Sequence, residues 1–151
     1  MPKIDLQTIA QRRGSNYPAP YDREAANRVR QRLGDAGGLT QFGVNLMRLE
    51  PGAWSSQRHW HSDEDEFVYV LSGEVVLRSD DGEQVLRAGD CAAFPRNIPN
   101  GHHLVNRSGT TAVCLEVGAR RSDDRVVYPD IDLLYDPVRD GYTRKDGTAY
   151  D

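Results

Sequence analysis

The chain has 151 residues, 38% of them apolar and 28% charged, with 19 basic against 23 acidic residues and a formal net charge of −4. That length fits one domain whose core needs no disulfides. The charge balance excludes the basic footprint of a nucleic-acid binder, and no apolar run approaches the roughly 18 residues that would span a bilayer.

The N-terminal run Met1-Pro2-Lys3-Ile4-Asp5-Leu6 lacks the charged-then-apolar pattern of a signal peptide, and the only cysteines are Cys91 and Cys114. The expectation is a cytoplasmic protein with two reduced, buried thiols. Residues 1–38 read as a polar N-terminal arm carrying one short helix at about 23–33. Asp22 would cap it, Ala25, Ala26, Val29 and Leu33 would share its packed face, and Gly34 stands where a left-handed terminator is wanted. Arg23, Arg28, Arg30 and Arg32 would then form a solvated face. Residues 39–118 hold most of the aliphatic and β-branched side chains. Their short runs are Gln41–Glu50, Trp54–Trp60, Phe67–Leu71, Glu74–Ser79, Glu83–Arg87, Cys91–Phe94, His102–Asn106 and Ala112–Val117. Turn clusters such as Pro51-Gly52, Ser72-Gly73, Asp80-Asp81-Gly82 and Ala88-Gly89-Asp90 separate them. Such spacing predicts an all-β domain, a small closed or two-sheet barrel. Residues 119–151 form a C-terminal arm in which Tyr128, Tyr135, Tyr142 and Tyr150 alternate with Asp, Pro and Gly. It is too polar for a second domain and too aromatic for a disordered linker, so it is expected to lie along the barrel or across a neighbouring subunit.

All four histidines fall in two groups, His59 with His61 and His102 with His103. On an extended strand the period of two sends His59 and His61 to one face and Trp60 to the other. A hairpin return would bring Glu66 beside them, with Val68 and Val70 on the same inner side. Parity in His102–Asn106 favours His102 as the fourth inward group, because turning His103 inward would also bury Arg107 at a heavy desolvation cost. A bulge after Pro99-Asn100-Gly101 would reverse that phase and present His103 instead. A His-x-His pair alone is a weak signal; combined with Glu66 and a second histidine group it points to one divalent metal ion of the Zn, Fe, Mn, Ni or Co type, held by His59, His61, Glu66 and His102. The two cysteines read as small core hydrophobes, Asp63-Glu64-Asp65 as a solvated turn, and Trp54 and Trp60 as core or interface groups.

The run Gly52, His59, His61, Glu66, Gly73 resembles the first motif of the cupin superfamily, and Gly89, Asp90, Phe94, Pro95, His102, Asn106 resembles the second. The second motif departs from the usual pattern, with Asn97 where Gly is common and Asn100 where His is common. The resemblance covers about residues 40–118 and extends over the whole chain to stand-alone bacterial single-domain cupins of unassigned activity. It implies a single jelly-roll β-barrel with the metal at its open end, and a homodimer. It implies no particular reaction, since cupins include isomerases, dioxygenases, decarboxylases and binding modules. The expected function is a metal-dependent enzyme acting on a small hydroxylated or carbonyl substrate, with an isomerase favoured over a dioxygenase by the acidic, polar mouth. Glu66 would be a ligand, so a separate base is needed, and inward parity offers Glu116. The alternative is a non-catalytic, metal-dependent module that binds or senses a small ligand; the chain has no helix-turn-helix pattern that would make it a direct regulator.

Overall fold

Period-two alternation in the middle of the chain produces strands where the turn residues allow them. The computed structural model describes residues 3–150. After a 3-10 turn at Leu6–Thr8, the chain runs through β1 (Arg12–Arg13), β2 (Arg28–Arg32), α1 (Leu33–Ala36) and β3 (Phe42–Leu49). It continues through β4 (Trp60–His61), β5 (Glu66–Ser72), β6 (Glu74–Ser79), β7 (Gly82–Arg87), β8 (Cys91–Phe94), β9 (His103–Val105) and β10 (Ala112–Ala119). The C-terminal segment adds β11 (Val126–Tyr128), β12 (Leu133–Asp136) and β13 (Gly141–Thr143).

Two sheets face each other across the core. One has six strands in the order β1-β2-β3-β10-β5-β8, and the other has three in the order β7-β6-β9. Registers Leu49↔Ala112 and Met47↔Cys114 between β3 and β10, and Cys114↔Val70 between β10 and β5, place these side chains in one inward row. They close on Val75, Leu86 and Leu104 from the opposite sheet, and this cluster is the core of an all-β, jelly-roll barrel. Among the described residues no helix is long and apolar enough to cross a membrane.

At the hairpin between β5 and β6 the chain turns on Gly73, at φ 75°. A Cβ there would sit 2.9 Å from the Cα of Ala112 and 3.0 Å from the Thr111 carbonyl oxygen. Gly73→Ala is therefore expected to destabilise the fold by about 1–3 kcal/mol, measurable as a lower denaturant midpoint with an unchanged slope.

Three expectations are corrected. The helix over 23–33 does not form: residues 23–27 turn, and residues 28–32 are β2. The free edge of β3 offers a full ladder, pairing Arg28↔Leu49, Arg30↔Met47 and Arg32↔Asn45, and tertiary pairing overrides a weak helical preference. The arginine face is accordingly solvated only in part: Arg28, Arg30 and Arg32 share one face of β2, where Arg28 is buried, Arg30 half-buried and Arg32 exposed, and Arg23 is exposed on the preceding turn. Gln31, on the other face, donates from Nε2 to the Leu6 and Ile9 carbonyls and ties down the N-terminal arm. Within Trp54–Trp60, ladder contacts shrink to isolated bridges at Trp54↔Val105 and His59↔His102 around a bend, with only Trp60 belonging to a strand. The thiols also differ from each other: Cys114 is buried, and its ionisation is pushed up to about 12 by burial, whereas Cys91 is exposed on β8. A thiol reagent is expected to label one cysteine in the native protein and two after unfolding.

The C-terminal segment folds back as a sheet, β13-β12-β11-β4, and so shares a ladder with the strand that carries His61. Val126, Tyr128 and Leu133 form a second apolar cluster, with Tyr17, Tyr21, Tyr135, Tyr142 and Tyr150 packed on it.

Candidate functional site

His59 and His102 are held opposite each other by two backbone hydrogen bonds, His59 N–H to the His102 carbonyl at 3.1 Å and His102 N–H to the His59 carbonyl at 2.9 Å. Their rings lie 4.8 Å apart, and the His61 ring is 5.0 Å from that of His59. Glu66, at the start of β5, reaches all three. Its carboxylate oxygens stand 3.4 Å from His59 Nε2, 3.3 Å from His61 Nε2 and 2.7 Å from His102 Nε2. The structure thus brings together the four residues that the sequence singled out.

The outer nitrogens show how the rings are set. His59 Nδ1–H donates to the Gln57 carbonyl at 2.9 Å, and His61 Nδ1–H donates to Asp124 Oδ2 at 2.6 Å. Both contacts put a hydrogen on Nδ1 and aim Nε2 at Glu66, the arrangement that orients an imidazole for a metal, which would take the place of the Nε2 proton. Phe94 stacks on His102 at 3.6 Å with the planes 2° apart and fixes the third ring. Burial opposes charge on His61, yet Asp124 and Glu66 raise its pKa to about 10. Burial likewise opposes charge on Glu66, but the three histidines hold its carboxyl well below the usual range. Three imidazole nitrogens and one ionised carboxylate fit a borderline divalent ion.

Glu116 lies farther along the barrel interior and is gripped by Arg30. Arg30 Nε and Nη2 donate to its two carboxylate oxygens at 2.6 and 2.7 Å. Both groups line the same cavity as the histidine cluster, a space of about 660 Å³. His103 does not point to solvent as parity predicted. It is 2% exposed, its ring packs edge-on against Trp54 at 4.7 Å, and Nδ1–H donates to the Ser56 carbonyl at 2.9 Å. The face of β9 away from the core is covered by the bend at 55–58, so Val105 is buried too, while Arg107 reaches the surface and pairs with Glu83 at 2.7 Å. The sequence reading missed Asp124, which no spacing rule connects to His61. It also missed Arg28 and Arg30, whose alternation along β2 was readable had the segment been taken as a strand.

Residues 45–118 match the family model described as a cupin domain. A crystal structure described as a sugar phosphate isomerase from a cupin superfamily, from Silicibacter pomeroyi, is 49% identical. It covers 99% of this chain and 97% of its own, with a TM-score of 0.93. The chain belongs to the cupin superfamily. A second crystal structure, assigned provisionally as a sugar phosphate isomerase from Acidithiobacillus ferrooxidans, is 35% identical over 77% of this cupin and 74% of its own chain, with a TM-score of 0.72. A predicted oxalate decarboxylase from Thermotoga maritima shares the fold at 23% identity and a TM-score of 0.64, covering 79% of this cupin and 99% of its own chain. No match was found among curated proteins. In this cupin the matched region holds every residue of the histidine and Glu66 cluster, whereas Asp124, Tyr128 and Tyr142 come from the segment beyond it.

Proposed function

We propose that this cupin is a metal-dependent isomerase of a small phosphorylated sugar. The observation that carries the reading is the presence, in one cavity, of a three-histidine, one-carboxylate cluster and a separate half-buried carboxylate, Glu116, held by Arg30. The 49% identity to the Silicibacter pomeroyi protein supports it. A divalent ion held by His59, His61, Glu66 and His102 would act as a Lewis acid toward a substrate carbonyl or hydroxyl oxygen. Glu116 serves as the proton carrier, taking a proton from the carbon beside the carbonyl and returning it to the neighbouring carbon. With the hydroxyl proton passing from one substrate oxygen to the other, that transfer exchanges aldose for ketose with no external oxidant. Arg30 holds both oxygens of Glu116, so the base is oriented before substrate arrives. Tyr128 and Tyr142, from β11 and β13, wall the cavity and restrict water. Five arginines and five carboxylates line it. A divalent cation would therefore leave two positive charges to be matched by a dianionic substrate.

The outer face of the six-stranded sheet exposes Phe67, Tyr69 and Leu71 at alternate positions of β5, which supports a homodimer. Light scattering after gel filtration is expected to give about twice the chain mass of 16.9 kDa. The unpaired cysteines fit a cytoplasmic setting.

The test combines elemental analysis of the purified protein with proton NMR of aldose and ketose phosphates in D₂O. The expected result is about one divalent ion per chain, with interconversion or solvent deuterium entering at the carbon next to the carbonyl. Metal bound without turnover or exchange would make the protein a binding module. No metal, and none taken up on reconstitution, would remove the basis of both readings.

A further inference from the structure

We propose that Arg28, with Arg30 beside it, is the phosphate-binding subsite of this cavity and receives the phosphate monoester of the substrate. The inference rests on the isomerase reading for the sugar that is held, and on the structure for the anion site itself.

Register places the two guanidiniums. Arg28 pairs with Leu49 and Arg30 with Met47, and both partners point into the core, so the arginines enter the barrel from the inner face of β2. Arg28 is 7% exposed. Its Nη1 donates to the Ser55 carbonyl at 2.5 Å and its Nη2 to the Gly14 carbonyl at 2.7 Å. Its Nε is buried without a hydrogen-bond partner, and among the described residues no carboxylate forms an ion pair with it. A buried cation without a counter-charge is costly, and a group that serves only to tie two carbonyls together need not carry a charge.

Arg30 sharpens the imbalance. Its Nη2 approaches the same Ser55 carbonyl at 3.4 Å, so two guanidiniums crowd one acceptor while Glu116 neutralises only one of them. Burial and the repulsion of Arg30 together lower the pKa of Arg28 to about 10, which leaves it charged at neutral pH and in need of an anion. Tyr17 and Tyr142, with rings 5.5 Å apart, wall the same cavity. A guanidinium with an uncommitted donor matches a tetrahedral dianion, which accepts several hydrogen bonds at once. The phosphate would thus sit at the β2 wall and the sugar carbonyl at the histidine cluster, with Glu116 bonded to the arginine between them.

The experiment titrates inorganic phosphate into the purified protein by calorimetry and thermal shift, with chloride at matched ionic strength and malonate as controls. Phosphate is expected to bind at one site per chain and to raise the melting temperature more than either control. His59→Ala should retain this binding, because the subsite is separate from the metal ligands. Arg28→Met should weaken it about 10–100-fold, and Arg28→Lys should recover part of the loss. A purely structural role for Arg28 would lower the melting temperature of the variants without moving phosphate affinity once folded, and that result overturns the proposal. So do wild-type protein with no phosphate-specific binding, binding lost in His59→Ala, and malonate binding as tightly as phosphate. The wild-type titration decides the matter even if Arg28→Met does not fold. Phosphate binding without any isomerisation would sink the isomerase reading and leave the subsite standing; turnover of sugar phosphates with no phosphate binding, or with binding unmoved by Arg28→Met, would do the reverse.

Discussion

A His61→Ala variant is expected to emerge from purification with no more than a trace of bound metal, while its circular dichroism stays that of the parent. His61 supplies one of three Nε2 atoms that converge on Glu66, at 3.3 Å, and the other two cannot close the gap because backbone bonds fix His59 against His102. The orienting carboxylate gives a graded companion. Asp124 Oδ2 accepts the Nδ1 hydrogen of His61 at 2.6 Å, and its other oxygen accepts the backbone N–H of Asp63 at 2.9 Å. Asp124→Asn is expected to cost about 10–100-fold in metal affinity rather than to abolish binding, measured by competition with a chromophoric chelator. Full metal content in His61→Ala would remove the assigned site. Unchanged affinity in Asp124→Asn would show that the ring is oriented by packing alone.

Glu116→Gln is expected to lower kcat by about 10²–10⁴-fold, the usual contribution of a positioned general base, with metal content and phosphate affinity retained. The amide keeps the shape of the carboxylate and can still accept one hydrogen bond from Arg30, but it cannot take a proton. The split between kcat and binding matters, because Glu116 also neutralises Arg30. A change confined to KM would mean that Glu116 only tunes the charge of the cavity. A loss of kcat with intact binding assigns it to proton transfer, and the disappearance of solvent deuterium exchange would confirm which step has failed.

How far the site could be read from the chain depended on the range of the interactions involved. His59, His61 and Glu66 lie within eight residues, so local geometry kept them close, although β4 pairs with β11 and β5 with β10 and β8 rather than with each other in the expected hairpin. The turn at Gly73 was legible for a similar local reason. His102 needed only one further assumption, the phase of β9, and its ring meets Glu66. His103 shows the limit of parity: alternation correctly sent it away from the core, but not into water, because the bend at 55–58 covers that side. Arg28 and Arg30 were hidden by an ambiguity of period, since residues spaced to place Ala25, Val29 and Leu33 on one helical face also place three arginines on one strand face. The unpaired edge of β3 decided between them, and no local signal carries that information. Asp124 and the tyrosines of β11 and β13 depend on how a distant segment folds back, which composition identified as aromatic and ordered without saying where it would dock.

The pairing of β11 with β4 has a consequence for the order in which the protein is made. Synthesis runs from the N-terminus, so His59, His61 and Glu66 are made before Asp124 and β11. Until they follow, the ladder partner of His61 and the carboxylate that turns its ring are missing. A chain stopped short of Asp124 would therefore leave the candidate site half set, and the last part of the chain acts as its closing latch. Metal offered to such a chain would meet a His61 ring not yet oriented, and the proposed centre would be complete only once the C-terminal sheet has docked.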